Sequence, residues 1–222
     1  AEDPEDFRTW LGSGQAHLAR AMMLEDEIGR IERRLQSDFL DQVGRAAETR
    51  DLEEVSARRL DDLTTAERHL ERVLENDLQK DNVYALIDLV LVLTNLGNRD
   101  DDALADGRHA VDLLDESISL TENTLQKQLN LAPDGKLMLE RRVAGDLEKQ
   151  QMLLGIIISI EYQRGAFQAC LEAYEALEEK DLMSASEYFN RATIHEQLGM
   201  IPQAIDDLEA YLRMRARQQD YD

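Results

Sequence analysis

Residues 188–208 read YFNRATIHEQLGMIPQAIDDL, a stretch in which Gly199 separates two runs of helical character. The same arrangement occurs earlier in the chain, where Gly165 separates two other runs. Each of the two glycines comes directly after a helical segment. Because glycine ends a helix and begins the turn to the next one, the pattern predicts two consecutive helical hairpins built on one repeat.

The residues around these glycines resemble the tetratricopeptide repeat (TPR) family, and the spacing from Gly165 to Gly199 equals the family's repeat period. The later repeat matches at Tyr188, Ala192, Gly199, Ala204, Leu208 and Tyr211. The earlier one matches at Leu154, Ile158, Gly165, Cys170, Tyr174 and Leu177. Together the two repeats cover residues 151–217, and a divergent third candidate near 82–115 is centred on Gly97. The resemblance implies an α-solenoid-like stack of TPR-type helical hairpins.

The whole chain is predicted to be all-α. It has three prolines, five per cent aromatic residues and abundant helix-forming residues. Residues 1–80 are expected to form a long helical hairpin and residues 81–222 the TPR-like repeats, with one continuous core. Since a stack needs about three repeats to be stable, the long N-terminal helices are expected to pack as a cap.

Two helix boundaries are predicted from local signals. Apolar residues at three- and four-residue steps run from Phe7 to Ala46, which fits one long helix or two in series, with a new helix capped near Thr49. The sequence Ala132-Pro133-Asp134-Gly135 predicts a turn, followed by a helix from Lys136 to about Arg164.

Composition excludes several classes of function. The formal net charge of -22 repels phosphate backbones and anionic lipid surfaces, so no nucleic-acid partner is expected. The longest apolar stretch, Met152 to Ile160, is far shorter than the roughly 20 residues of a membrane span, so a soluble protein is expected. The compartment stays open between the cytoplasm and an exported form that has lost its signal peptide.

No catalytic residues, metal site or cofactor are predicted. The four histidines lack the spacing of paired ligands on one helix face, and Gly199 stands where a zinc motif beginning at His195-Glu196 needs its second histidine. In the acidic run from Asn98 to Asp102, Ala103 stands where a calcium loop needs glycine. The sequence therefore favours a non-catalytic protein.

The TPR resemblance implies an adaptor or scaffold that holds a peptide or helix in a groove. It places nine partner-binding residues there: Tyr84, Ile87, Leu91, Met152, Ile156, Tyr162, Phe189, Asn190 and Thr193. The resemblance also implies that further positions face it: Asp88, Thr94, Asn95, Gly155, Ser159, Gln163, Ser186, Glu196 and Gln197. This apolar strip in an acidic chain favours a basic amphipathic helix as partner. Two alternatives stay open: the N-terminal helices cover the strip, or the chain is a structural homo-oligomer assembled through its long amphipathic helices.

Overall fold

The computed structural model describes residues 4–37, 40–97, 99–127 and 132–219, and the all-α prediction is confirmed across these ranges. Hydrophobic faces at helical spacing are buried between neighbouring helices. Eight helices occur in the described residues: α1 (Pro4–Leu35), α2 (Gln42–Leu74), α3 (Val83–Leu96), α4 (Asp100–Lys127), α5 (Pro133–Gln163), α6 (Phe167–Glu179), α7 (Ala185–Gln197) and α8 (Ile201–Gln219).

The chain forms two compact units, Ala1–Asp106 and Gly107–Asp222, and the division falls within α4. Each unit has a hydrophobic core of its own. The expected division after residue 80, the continuous core and the solenoid stack with its N-terminal cap stay predictions.

The first unit is built on the α1–α2 hairpin, with α3 packed against α2. Gly14 in α1 is buried against α2, where a β-carbon would lie 2.9 Å from Leu70 Cγ. This glycine therefore permits close helix packing, and α1 continues through it without a break. α3 is capped by the Asn82 side chain, which accepts from Ala85 N, and ends at Gly97 with φ of 69°. The end at Gly97 agrees with the sequence pattern.

Two helix starts differ from the sequence expectations. The second helix begins at Gln42 and not near Thr49, because the Asp41 side chain caps it by accepting a hydrogen bond of 2.7 Å from Gly44 N. Thr49 lies inside α2, where its hydroxyl donates to Arg45 O. Pro133 is the first residue of α5 and not part of a preceding turn, since its fixed φ suits the first helical position. Of the apolar positions assigned to the first helix, Phe39 lies outside the described residues.

In the second unit, the residues of α4 from Gly107 onward run beside α5 and are joined to it by polar contacts. Arg108 Nη2 donates to Glu161 Oε1 at 2.5 Å, and Glu161 is buried. Gln150 Nε2 donates to the Val111 carbonyl at 3.2 Å. α5 packs against α6, α6 against α7, and α7 against α8.

Three helices of this unit end in the same backbone motif, a left-handed residue followed by a hydrogen bond that reaches back five residues. At the end of α5, Gly165 has φ of 71° and Ala166 N donates to Glu161 O. At the end of α7, Gly199 has φ of 72° and Met200 N donates to His195 O. Asp181 takes the same role after α6 with φ of 56°. These are Schellman turns, which satisfy the last free carbonyls of a helix.

A buried ion-pair network joins three helices of this unit. Arg191 in α7 donates to both carboxylate oxygens of Asp207 in α8, at 3.0 and 2.6 Å. Arg191 also donates to Glu178 in α6 at 2.7 Å, and this hydrogen bond lowers the pKa of Glu178. His195 Nδ1 lies 2.9 Å from the same Asp207 carboxylate. Arg191 and Asp207 are 8% and 3% exposed, so water does not solvate either charge well.

We predict that Asp181→Gly stabilises the protein by about 0.5–1 kcal/mol, because glycine adopts positive φ without the steric cost of a side chain. Asp181→Ala is the matched control and is expected to give no gain, since alanine keeps that cost. Urea unfolding followed by far-UV circular dichroism measures both. Equal stability of the two variants would contradict a strained backbone at Asp181.

We predict that Arg191→Leu destabilises the protein by about 3–5 kcal/mol, because Asp207 then keeps a buried charge without its main partner. The double variant Arg191→Leu/Asp207→Leu is expected to recover most of that loss. Glu178→Gln is expected to cost less than about 1 kcal/mol, since Glu178 is exposed. Chemical unfolding midpoints compare the variants, and a double variant no better than the single one would speak against this explanation.

Candidate functional site

A groove of about 530 Å³ lies between α5 and α7, with one α6 residue also lining it. Both helices present a mixed face of apolar and hydrogen-bonding side chains to it. Its lining residues are Gly155, Ile158, Ser159, Tyr162, Gln163, Tyr174, Glu187, Asn190, Thr193 and Ile194. The groove belongs entirely to the second unit.

Three of the nine predicted partner-binding residues, Tyr162, Asn190 and Thr193, line this groove. Met152, Ile156 and Phe189 lie on the same two helices but not among its lining residues.

The other three predicted residues, Tyr84, Ile87 and Leu91, lie on α3 in the first unit. Tyr84 is exposed, Ile87 is buried in the core of that unit at 6% exposure, and Leu91 is partly exposed. The assignment of the nine residues to a partner stays a prediction.

Gly155, Ser159 and Gln163, which the resemblance places in a partner-binding groove, are among the lining residues of this one, whereas Ser186, Glu196 and Gln197 are not. The lining also includes residues that were not assigned to a groove from the sequence: Ile158, Tyr174, Glu187 and Ile194. The resemblance implies no more for Tyr174 than a place on the inner face of the second helix of its repeat. Its ring is indeed buried, yet it also contributes to the groove wall. The sequence pattern indicates burial but not which buried side chains border a groove.

The groove lining contains a single ionisable carboxylate and no cation. That carboxylate, Glu187, belongs to the capping box at the start of α7, in which it accepts from Ser184 N. Burial raises the pKa of Tyr174 to about 12, so its hydroxyl stays protonated at neutral pH. The Gln197 amide donates to the Tyr162 hydroxyl at 3.3 Å, across from α7 to α5. Such neutral donors and acceptors suit the backbone of an extended or helical peptide.

Gly155 leaves open space on the α5 side of the groove. It lies in the interior of the helix, and a β-carbon built there meets no atom within 4 Å. Since no neighbour needs this space, packing within the unit does not explain why a glycine stands here. Glycine costs about 1 kcal/mol relative to alanine inside a helix. An absent side chain does permit close approach of another backbone.

Two further polar clusters lie outside the groove. A second depression of the same unit, of about 390 Å³, borders Glu175, Glu178 and Asp206 along with the Arg191 network. The guanidinium of Arg191, which borders this depression, already donates hydrogen bonds to Asp207 and Glu178. In the first unit, His17 Nδ1 lies 2.6 Å from Asp62, and the His69 ring lies 5.7 Å from that of His17.

Neither cluster supplies the ligands of a metal centre. Within the described ranges, no group of three or more His, Cys, Asp or Glu side chains is placed to hold a metal ion. Among the same residues, no helix is both long enough and apolar enough to cross a membrane. Cys170 is buried, and burial raises the pKa of its thiol, which disfavours the reactive thiolate.

Comparisons with known proteins do not place this chain in a family. No protein-family model matches it, and no curated protein matches its sequence significantly. What the observations define is a class: an all-helical protein whose second unit carries an open groove between α5 and α7. The resemblance to TPR proteins therefore stays a prediction from the residues quoted above.

The His69 environment gives a prediction of pH dependence. The ring packs edge-on against Trp10, and its Nδ1 is buried without a hydrogen-bond partner among the described residues. Desolvation by burial, then the charges of His17 and Arg68, lower the pKa of His69 below its usual value of 6.5. The unfolded chain therefore binds this proton more readily, and we expect stability to fall as the pH drops below about 6.5.

His69→Phe removes the titrating group while it keeps an aromatic ring against Trp10. We expect the unfolding free energy of this variant to depend less on pH between 8 and 5 than that of the wild type. Urea unfolding at a series of pH values measures the difference between the two curves. Parallel curves would mean that His69 does not contribute to the pH dependence of the unfolding free energy.

Proposed function

We propose that this protein is a non-catalytic adaptor or scaffold that holds a peptide or helix of a partner protein in the groove between α5 and α7. The single observation that carries the proposal is the groove itself, with apolar walls, neutral hydrogen-bonding groups and an uncovered Gly155. These features suit a polypeptide segment, because apolar walls can contact its side chains while a few hydrogen-bonding groups fix its orientation.

The proposal includes the assignment of α5–α8 to two TPR-type repeats. It is supported by the Schellman turns at Gly165 and Gly199, whose φ values are 71° and 72° and whose spacing equals one TPR period. The pattern of buried residues recurs at the same spacing. Four buried residues of α5 each have a buried counterpart one period later in α7: Ile157 and Arg191, Ile158 and Ala192, Ile160 and Ile194, and Glu161 and His195. In this arrangement α5 and α7 are the first helices of adjacent repeats, and these are the helices that line a TPR groove.

The chemistry of the partner follows from charge and lining. The chain has a formal net charge of -22, and the groove lining adds one carboxylate with no opposing cation. A segment with an apolar face and basic flanks therefore fits best, since its charges are attracted over a distance while its apolar face contacts Ile158 and Ile194. We propose a basic amphipathic helix as the preferred ligand class.

The alternative function, a structural homo-oligomer assembled through the long N-terminal helices, is supported by exposed apolar residues on them. Met22 and Met23 in α1 and Leu60 in α2 are all more than half exposed. Met23 borders a depression of that unit whose other lining residues are mostly charged, and scattered exposed apolar residues are ordinary on a protein surface. The adaptor function is therefore the better supported of the two.

The groove is tested by Gly155→Trp, which fills it from a position where a new side chain meets no atom nearby. We expect affinity capture from the source organism to lose its groove-dependent partner with this variant. Gly155→Ala is expected to weaken capture less than Gly155→Trp does, because it adds only a methyl group, and to stabilise α5 by about 1 kcal/mol. Mass spectrometry of the captured proteins and urea unfolding supply the two readouts.

Gly145→Trp is the matched control, because it places the same side chain on the same helix outside the groove. The nearest atom to a β-carbon there is Lys149 Nζ at 3.9 Å, at the end of a flexible chain. This variant is expected to capture the same partner as the wild type. Retention of every partner by Gly155→Trp would rule out the groove as the binding site.

A further inference from the structure

The groove between α5 and α7 has a direction, because two hydrogen bonds show that its two helices run the same way. At one end, Gln151 Nε2 in α5 donates to Leu182 O at 2.9 Å, shortly before α7 begins. At the other end, Gln197 Nε2 donates to the Tyr162 hydroxyl at 3.3 Å, where both helices end. We call the end at Gln151 and Leu182 the start end, and the end at Tyr162 and Gln197 the finish end.

The distance between these two contacts sets the length of a segment that the groove holds. Tyr162 comes eleven residues after Gln151 in α5, which is about 16 Å along the helix axis. An α-helix covers that distance in about three turns. Gly155 and Ser159 lie between the two contacts and carry no bulky side chain, so the backbone of a bound helix can approach α5 there.

The two ends of the groove differ in charge. At the start end, Glu187 in the first turn of α7 is the carboxylate of the groove lining. Exposed Glu148 comes seven residues before Gly155 and therefore lies on the same face of α5, beyond that end. At the finish end, exposed Arg164 and Glu196 follow or close the two helices and carry opposite charges. The start end is therefore the acidic one.

The lysines that come closest in the chain to the start end are paired with other carboxylates. Lys149 Nζ lies 3.0 Å from Asp146 Oδ1, and Lys180 Nζ lies 2.5 Å from Asp115 Oδ1. Neither of these pairs includes Glu187, whose hydrogen bond in the capping box comes from the backbone N–H of Ser184. The charge of Glu187 is therefore available to a cation of a bound segment.

A helix in this groove is bound best when it runs against α5 and α7. A helix carries partial positive charge at its N-terminus and partial negative charge at its C-terminus, so antiparallel neighbours attract one another. Basic residues in the last turn stabilise the bound helix itself, and in the antiparallel orientation they also lie beside Glu187. We propose, resting on the function proposed above, that the occupant is a partner helix of about three turns antiparallel to α5 and α7, with the basic residues of its last turn at the start end.

Photo-crosslinking to the full chain determines the direction. The probe is a synthetic amphipathic peptide of about 14 residues, slightly longer than three turns, with lysines in its last turn and a benzophenone group at one terminus. We expect the N-terminal label to react near Tyr162 and Gln197 and the C-terminal label near Ser184 and Glu187, as located by mass spectrometry. The opposite assignment, or reaction of each label at both ends, overturns the antiparallel direction and leaves the proposed function standing. Binding that Gly155→Trp does not weaken, or no binding, overturns both.

Glu187→Gln tests the charge at the start end without removing the capping box, since glutamine also accepts a hydrogen bond at that position. We expect this variant to bind the peptide about threefold more weakly. A second peptide of the same composition, with its lysines in the first turn, is expected to lose less affinity. Fluorescence anisotropy measures both peptides, and comparing each with itself on the two proteins cancels their difference in helicity.

Glu172→Gln is the matched control, because it changes the net charge equally. Glu172 is exposed on α6 and borders a different depression, so its variant is expected to bind both peptides as the wild type does. Circular dichroism compares the fold of the three proteins. Equal weakening of the two peptides by Glu187→Gln, or equal losses in the control, would contradict the antiparallel direction.

Discussion

The second unit depends on one backbone constraint: three successive helices end in a residue with positive φ. Gly165, Asp181 and Gly199 each lie in a connection of three to five residues, in which the turn satisfies the last carbonyls of the preceding helix. The short connections leave the chain no room to place consecutive helices far apart. Because the spacing between the two glycine turns is fixed, it sets the lengths of the helices between them. The groove between α5 and α7 is a consequence of this spacing.

Equivalent positions of the two hairpins are filled by different chemistry. Ile157 and Ala173 form part of an apolar layer in the first hairpin, and Arg191 and Asp207 stand at the same positions of the second. A buried charge is tolerated only with a partner of opposite charge, and the two positions differ together: both are apolar in the first hairpin and both are charged in the second. The ion pair can occupy this layer because the guanidinium of Arg191 also reaches Glu178 at the exposed edge. The backbone repeat is thus more regular than its side chains.

The sequence predicted those features that local chemistry determines. Gly97, Gly165 and Gly199 follow the ends of α3, α5 and α7, because a helix end with positive φ favours glycine. The turn before α2 was missed, since it contains no glycine or proline and the apolar spacing continues from Leu35 to Val43. Asp181 was missed because aspartate carries no strong signal for positive φ. The groove was predicted in part, since periodicity indicates which face is apolar but not that Tyr174 borders a cavity.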